Sequence, residues 1–151
     1  MDPDREIPRL LPKAIEWARK QESVGIRTGA PLKGKLFEAA RRVGVRRPNQ
    51  VRLVTASRLP MPSDPELQEA ARQTGLLGPG LLGLTLGYAV FILRGHASLR
   101  LVSHECRHVH QYERYGSIGD FLSSYLVQVM THGYRQAPLE IDARKHEIHT
   151  L

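Results

Sequence analysis

Ser98-Leu99-Arg100-Leu101-Val102-Ser103-His104-Glu105-Cys106-Arg107-His108-Val109-His110-Gln111-Tyr112 is the stretch that decides the fold. Apolar residues at helical spacing, Ser98 as N-cap and Gly116 as terminator predict one α-helix with the histidines mid-helix. Residues four apart on a helix lie about 40° apart around its axis, so His104 and His108 point from one face toward one point. Glu105 sits one step round, close enough to reach a water there without being a ligand itself. Two imidazoles with a carboxylate so placed form the H-E-x-x-H arrangement of a hydrolytic zinc site, with Glu105 as general base.

Upstream, Leu84-Thr85-Leu86-Gly87-Tyr88-Ala89-Val90-Phe91-Ile92-Leu93 is rich in strand formers and ends at Arg94-Gly95. The expected order is therefore strand, turn, metal helix, with the strand placed to hold an extended substrate by main-chain hydrogen bonds. Val51 to Ser57 reads as another strand, broken off by Pro60 and Pro62. The apolar stripe of Leu10, Leu11, Ala14, Ile15, Trp17 and Ala18 predicts a helix over 10–22, with Trp17 as a packing anchor. Lys33 to Val43 forms a second helix closed by Gly44, and Pro65 to Gln73 a surface helix.

The glycines from Gly75 to Gly83 lack the G-x-x-x-x-G-K-[ST] phosphate-loop pattern and read as a flexible loop near the site entrance. After the motif, Ile118, Phe121, Leu122, Tyr125, Leu126, Val129 and Met130 mark an amphipathic helix over 117–134, and a last helix begins at Pro138. The fold class is α+β, mostly helical, with a small two- or three-stranded sheet before the motif helix. One domain spans 1–151: N-terminal helices over 1–48, sheet and Gly-rich loop over 49–95, metal-binding helices over 96–151.

A catalytic zinc takes three protein ligands and keeps one position open. A histidine six residues after His108 would supply the third, but position 114 is Arg114 and position 111 is Gln111. A carboxylate on a later helix is the alternative, and Glu140 fits best, on the first turn after Pro138 with small Ala143 three residues on. Asp142, Glu147, His132 and His146 remain rivals, as does a site with no third protein ligand. Tyr125 and Tyr134 are the candidate donors to a developing oxyanion. Gln111, about 20° from His104, would line the cleft or hold a bridging water, and His110, some 120° off, would sit at the surface or between helices. His146 and His149 read as exposed.

His104-Glu105-x-x-His108-Val109-x-Gln111-Tyr112-Glu113, with Gly116, Phe121-Leu122-x-x-Tyr125, Gly133-Tyr134 and Pro138-x-Glu140-x-x-Ala143, resembles the compact gluzincin-type zinc metallopeptidase domains, the minigluzincins and their bacterial relatives. The resemblance runs from the Leu84 strand onward. It implies a zincin-like helix-and-sheet scaffold, one zinc ion held by His104, His108 and Glu140, and Glu105 as base. Many gluzincins place an aspartate four residues after the ligand glutamate to brace a histidine. Position 144 is Arg144, which leaves Asp142 as the substitute.

With 151 residues and 41% hydrophobic content, the chain is long enough to bury a core. The charged N-terminus lacks a signal peptide's apolar run, and no apolar stretch reaches a membrane-spanning length, so no membrane partner and a cytoplasmic location are expected. The single Cys106 excludes an internal disulfide framework and, about 200° from His104, serves as a buried filler. The net charge of +7 is densest at Arg41-Arg42-Val43-Gly44-Val45-Arg46-Arg47, which lacks interleaved aromatics and reads as a solvated helix end with no specific nucleic acid. Peptide or protein substrates are expected, and the oligomeric state is open. Two other readings compete: a catalytically silent metal-binding or interaction module, and a regulatory or nucleic-acid module whose histidines are structural. Iron(II) suits the same ligand set. Latency, with the N-terminal helices over the cleft, is compatible with the peptidase reading.

Overall fold

The chain begins with a helix longer than its apolar stripe requires. In the computed structural model, which describes residues 2–151, α1 spans Pro3–Thr28. Asp2 caps it, accepting from Asp4 N–H, with Pro3 at the first position where its missing N–H costs nothing. Pro8 and Pro12 lie inside it. Each removes a donor from the carbonyl one turn upstream, at Asp4 and Pro8, and both of those residues are exposed, so water replaces the lost bond. Packing against the sheet and the fifth helix carries α1 through both prolines and beyond the expected 10–22 range.

The remaining helices among the described residues are α2 (Gly34–Arg42), α3 (Pro65–Thr74), α4 (Leu99–Tyr115), α5 (Ile118–His132) and α6 (Pro138–Lys145). The strands are β1 (Ala30–Pro31), β2 (Arg52–Ala56), β3 (Gly83–Leu86) and β4 (Ala89–Leu93). The α+β class is as expected, but the sheet has four strands, in the order β1-β2-β4-β3. The fourth arises because the Leu84–Leu93 run is a hairpin, with Leu86 paired to Ala89 across Gly87 and Tyr88. Gly87 has φ 63° and Tyr88 does not enter the left-handed region, the Gly-X pattern of a type II′ turn. A single Gly amid β-formers was the available signal. β2 pairs with β4 in parallel, and β1 adds two residues to the far edge.

Alternation along β4 builds the core on both faces of the sheet. Ala89 and Phe91 join Ala18, Phe121, Tyr125 and Val129 beneath α1 and α5, whereas Val90 and Ile92 join Ala40, Val102, Cys106 and Val109 against α2 and α4. Cys106 is wholly buried, as expected of a filler, and burial pushes its thiol up to about 12.

Gly25 lets α1 sit directly on the sheet: a Cβ there would lie 2.6 Å from the Ala89 Cβ and 3.0 Å from the Phe91 ring. Gly25→Ala, ordinarily favourable within a helix, is therefore expected to destabilise by about 1–3 kcal/mol through overpacking, read as a lowered midpoint in urea unfolding.

Candidate metal centre

α4 is formed and ended as its sequence predicts. Ser98 Oγ accepts from Leu101 N–H at 3.1 Å, and Gly116 closes the helix at φ 91°. α5 follows at once, capped by Ser117 accepting from Asp120 N–H. The Gly133–Ala137 link then returns the chain so that α6 packs on α4. Pro138 starts α6 and places Glu140 in its first turn, facing the two histidines.

There His104 Nε2 lies 3.2 Å from Glu140 Oε1, and His108 Nε2 lies 3.0 Å from Glu140 Oε2. All three side chains are buried, and their ligand atoms fall within 4.8 Å of one another. Tetrahedral zinc, with bonds of about 2.0–2.1 Å, needs donors roughly 3.3 Å apart. Both His–Glu140 separations are close to that value, so this donor set of two imidazoles and one carboxylate could hold an ion. Of the rivals for the third position, exposed His132 is elsewhere, and half-buried His146 bonds the Asp142 carbonyl at 2.8 Å. His149 is exposed as expected, and His146 is half-buried.

Glu147 and Asp142 instead support the histidines. His104 Nδ1–H donates to Glu147 Oε2 at 2.9 Å, which leaves Nε2 directed at Glu140. His108 Nδ1–H donates to Gln111 Oε1 at 2.8 Å, and Gln111 Nε2–H donates in turn to Asp142 Oδ2 at 2.8 Å and the Leu139 carbonyl at 3.0 Å. Arg107 Nε–H completes the chain by donating to Asp142 at 2.8 Å. Asp142 thus serves as the substitute brace, but through Gln111. Glu147, on sequence grounds a candidate ligand, lies past the end of α6. Its segment is tied to α4 by Ile148 N–H donating to Ser103 Oγ at 2.8 Å, a contact with no local sequence signal.

Glu105 lines one cavity together with His108 and Glu140. Thr85 Oγ1–H donates to Glu105 Oε1 at 2.8 Å and contacts its main-chain oxygen at 3.1 Å. Gly83, at the start of β3, leaves room for the other carboxylate oxygen: a Cβ there would lie 2.9 Å from Oε2. Neither Thr85 nor Gly83 carries a sequence signal for the site, because each meets Glu105 only through the packing of β3 on α4. Tyr125 O–H donates to Glu140 Oε2 at 2.8 Å, bracing the carboxylate, and Tyr134 lines the same cavity. His110 bridges helices as expected, bonded to the Gly44 carbonyl at 2.8 Å. In the basic run, Arg41 and Arg42 pair with Glu38 at an exposed helix end.

The electrostatics follow from burial and proximity. Burial alone would push the His108 imidazole down, but the Glu140 charge and hydrogen bond outweigh it and raise its pKa to about 9. For His104, too, burial opposes the charged form and the Glu140 hydrogen bond and Glu105 charge prevail, raising it. Burial would raise Glu140, yet the neighbouring imidazoles hold it far below the usual carboxylate range. Glu105 is raised by burial, with the two imidazoles opposing.

Thr85→Val is expected to leave Glu105 Oε1 without its donor and to cost about 1–3 kcal/mol in urea unfolding, with Thr85→Ser close to wild type.

The fold and site define an α+β protein whose buried His104, His108 and Glu140 could hold a metal ion. No family model matches the chain, and neither curated proteins nor solved structures yield a significant match. Among the described residues no helix is long and apolar enough to cross a membrane.

Proposed function

We propose that this chain is a zinc-dependent metallopeptidase of gluzincin-like design that hydrolyses peptide bonds. The observation that carries the reading is a three-donor cluster, two members of which, His108 and Glu140, share a cavity with a separate carboxylate, Glu105, held by Thr85. A passive structural metal site has no use for a fourth, non-ligating carboxylate aimed at the same space. Two nitrogens and one carboxylate with a helix-borne base favour zinc. When bound, zinc supplies Lewis acidity that polarises a carbonyl and makes water nucleophilic near neutral pH.

Glu105 takes the proton of the attacking water and returns it to the leaving amine. Its raised pKa suits both halves of that task. Glu147 and Gln111 fix the ring orientations of His104 and His108, so that Nε2 of each stays available as a donor. Tyr125 is committed to Glu140, which leaves Tyr134, lining the cavity, as the better oxyanion donor of the two. β3, the edge strand beside Glu105, offers main-chain groups for an extended substrate.

The deciding experiment measures metal per chain in untagged protein purified without added metal, followed by hydrolysis of a mixed peptide library by the zinc-loaded chain. About one zinc per chain, lost in His108→Ala and in Glu140→Ala, with cleavage abolished by Glu105→Gln, supports the reading. Failure to bind zinc when it is offered would overturn it.

A further inference from the structure

The groups of the metal centre are closed off from solvent: His104, Glu105, His108 and Glu140 are exposed by 8%, 4%, 6% and 2%. The cavity that Glu105, His108 and Glu140 line is otherwise walled largely by apolar side chains of α1, α3 and α5. Its walls differ in how firmly they are held. α1, α4 and α5 contribute buried core residues, whereas α3 buries only Ala71. Yet α3 and the following loop supply Leu67, Ala70, Leu77 and Leu81 to the cavity wall, which Trp17 of α1 also lines.

The attachment of this wall is peripheral. At its N-terminal end Lys13 of α1 bonds Asp64 at 2.9 Å and Glu66 at 2.7 Å, and Arg9 also pairs with Glu66. At its C-terminal end Tyr134 N–H donates to the Thr74 carbonyl at 3.0 Å. Both connections, 57–64 and 75–82, lack regular structure. The second holds Gly75, Gly78 and Gly80, with Leu77 at φ 58°, a conformation unfavourable for an L-residue and relieved if the loop rearranges.

We infer that α3 and the 75–82 loop form a lid over the metal centre, latched to α1 by the ion pairs of Arg9 and Lys13 with Asp64 and Glu66. The lid rests on the metallopeptidase reading for its purpose, since a peptide reaches Glu105 only when the wall moves. The latch makes access depend on ionic strength: its pairs are part-exposed, and at 1 M salt the screening length falls to about 3 Å.

The test uses the full chain and the fluorescence of Trp17, the single tryptophan, quenched by acrylamide, which is uncharged. Lys13→Glu is expected to raise the quenching constant about twofold in metal-free protein and to speed zinc transfer to a chelator about tenfold. The charge swap Lys13→Glu with Glu66→Lys is expected to restore both. Raising sodium chloride from 0.05 to 1 M should open the wild-type lid in the same direction, which keeps the test decisive if Lys13→Glu fails to fold. Quenching and transfer unmoved by salt and by a folded Lys13→Glu variant would overturn the lid. Absence of bound zinc, with quenching still responsive to salt and charge, would uphold the lid and overturn the metal reading.

Discussion

Glu105→Gln is expected to lower the rate of peptide hydrolysis by about 10³-fold while leaving the metal content of the chain unchanged. Glutamine keeps the size of the side chain and can still meet the Thr85 hydroxyl, so the cavity is preserved. What it cannot do is take a proton from water and pass it to the leaving amine. Two measurements on one preparation separate the possibilities. Loss of metal along with activity would make Glu105 a ligand, and unchanged hydrolysis would remove it from the chemistry altogether. The wild-type carboxylate has a raised pKa because it is buried, and the nearby imidazoles limit that rise. It is held neither as a free surface acid nor in a structural ion pair.

Zinc at about 1,000 times its dissociation constant is expected to stabilise the chain by about 4 kcal/mol, raising the unfolding midpoint by roughly 10 °C. Calorimetry with and without a chelator measures this directly. His108→Ala and Glu140→Ala should show no such rise, whereas a rise of wild-type size in either would remove that residue from the ligand set. The pH dependence has a definite sign. In the metal-free chain His108 is raised to about 9, chiefly by Glu140 acting against burial, so near neutral pH it holds a proton that zinc must displace. Its stabilising interaction is complete below about 6.5 and is lost as pH rises through about 9. Zinc uptake should therefore release protons and strengthen between pH 6 and 9, and the gap between loaded and metal-free midpoints should widen.

The sequence by itself determined α4 and its contents. Ser98 and Gly116 set the ends of the helix, and a four-residue spacing can only put His104 and His108 on one face. The starts of α5 and α6 at Ser117 and Pro138 were equally local, because caps and prolines act on neighbouring backbone. Glu140 was legible as the best of several candidates, since a first-turn position after a proline is a local property, but its approach to both imidazoles belongs to helix packing. Tertiary structure alone decided the rest. α1 runs through Pro8 and Pro12 because the helices and strands it packs against outweigh the local penalty. β2 and β4 pair in parallel across the intervening residues 57–88, a choice no local pattern encodes. Thr85, Gly83 and Glu147 enter the site from an edge strand and a tail. Sequence periodicity specifies which face of an element is apolar, whereas the identity of the group opposite a given atom depends on how elements distant in sequence come to rest against one another.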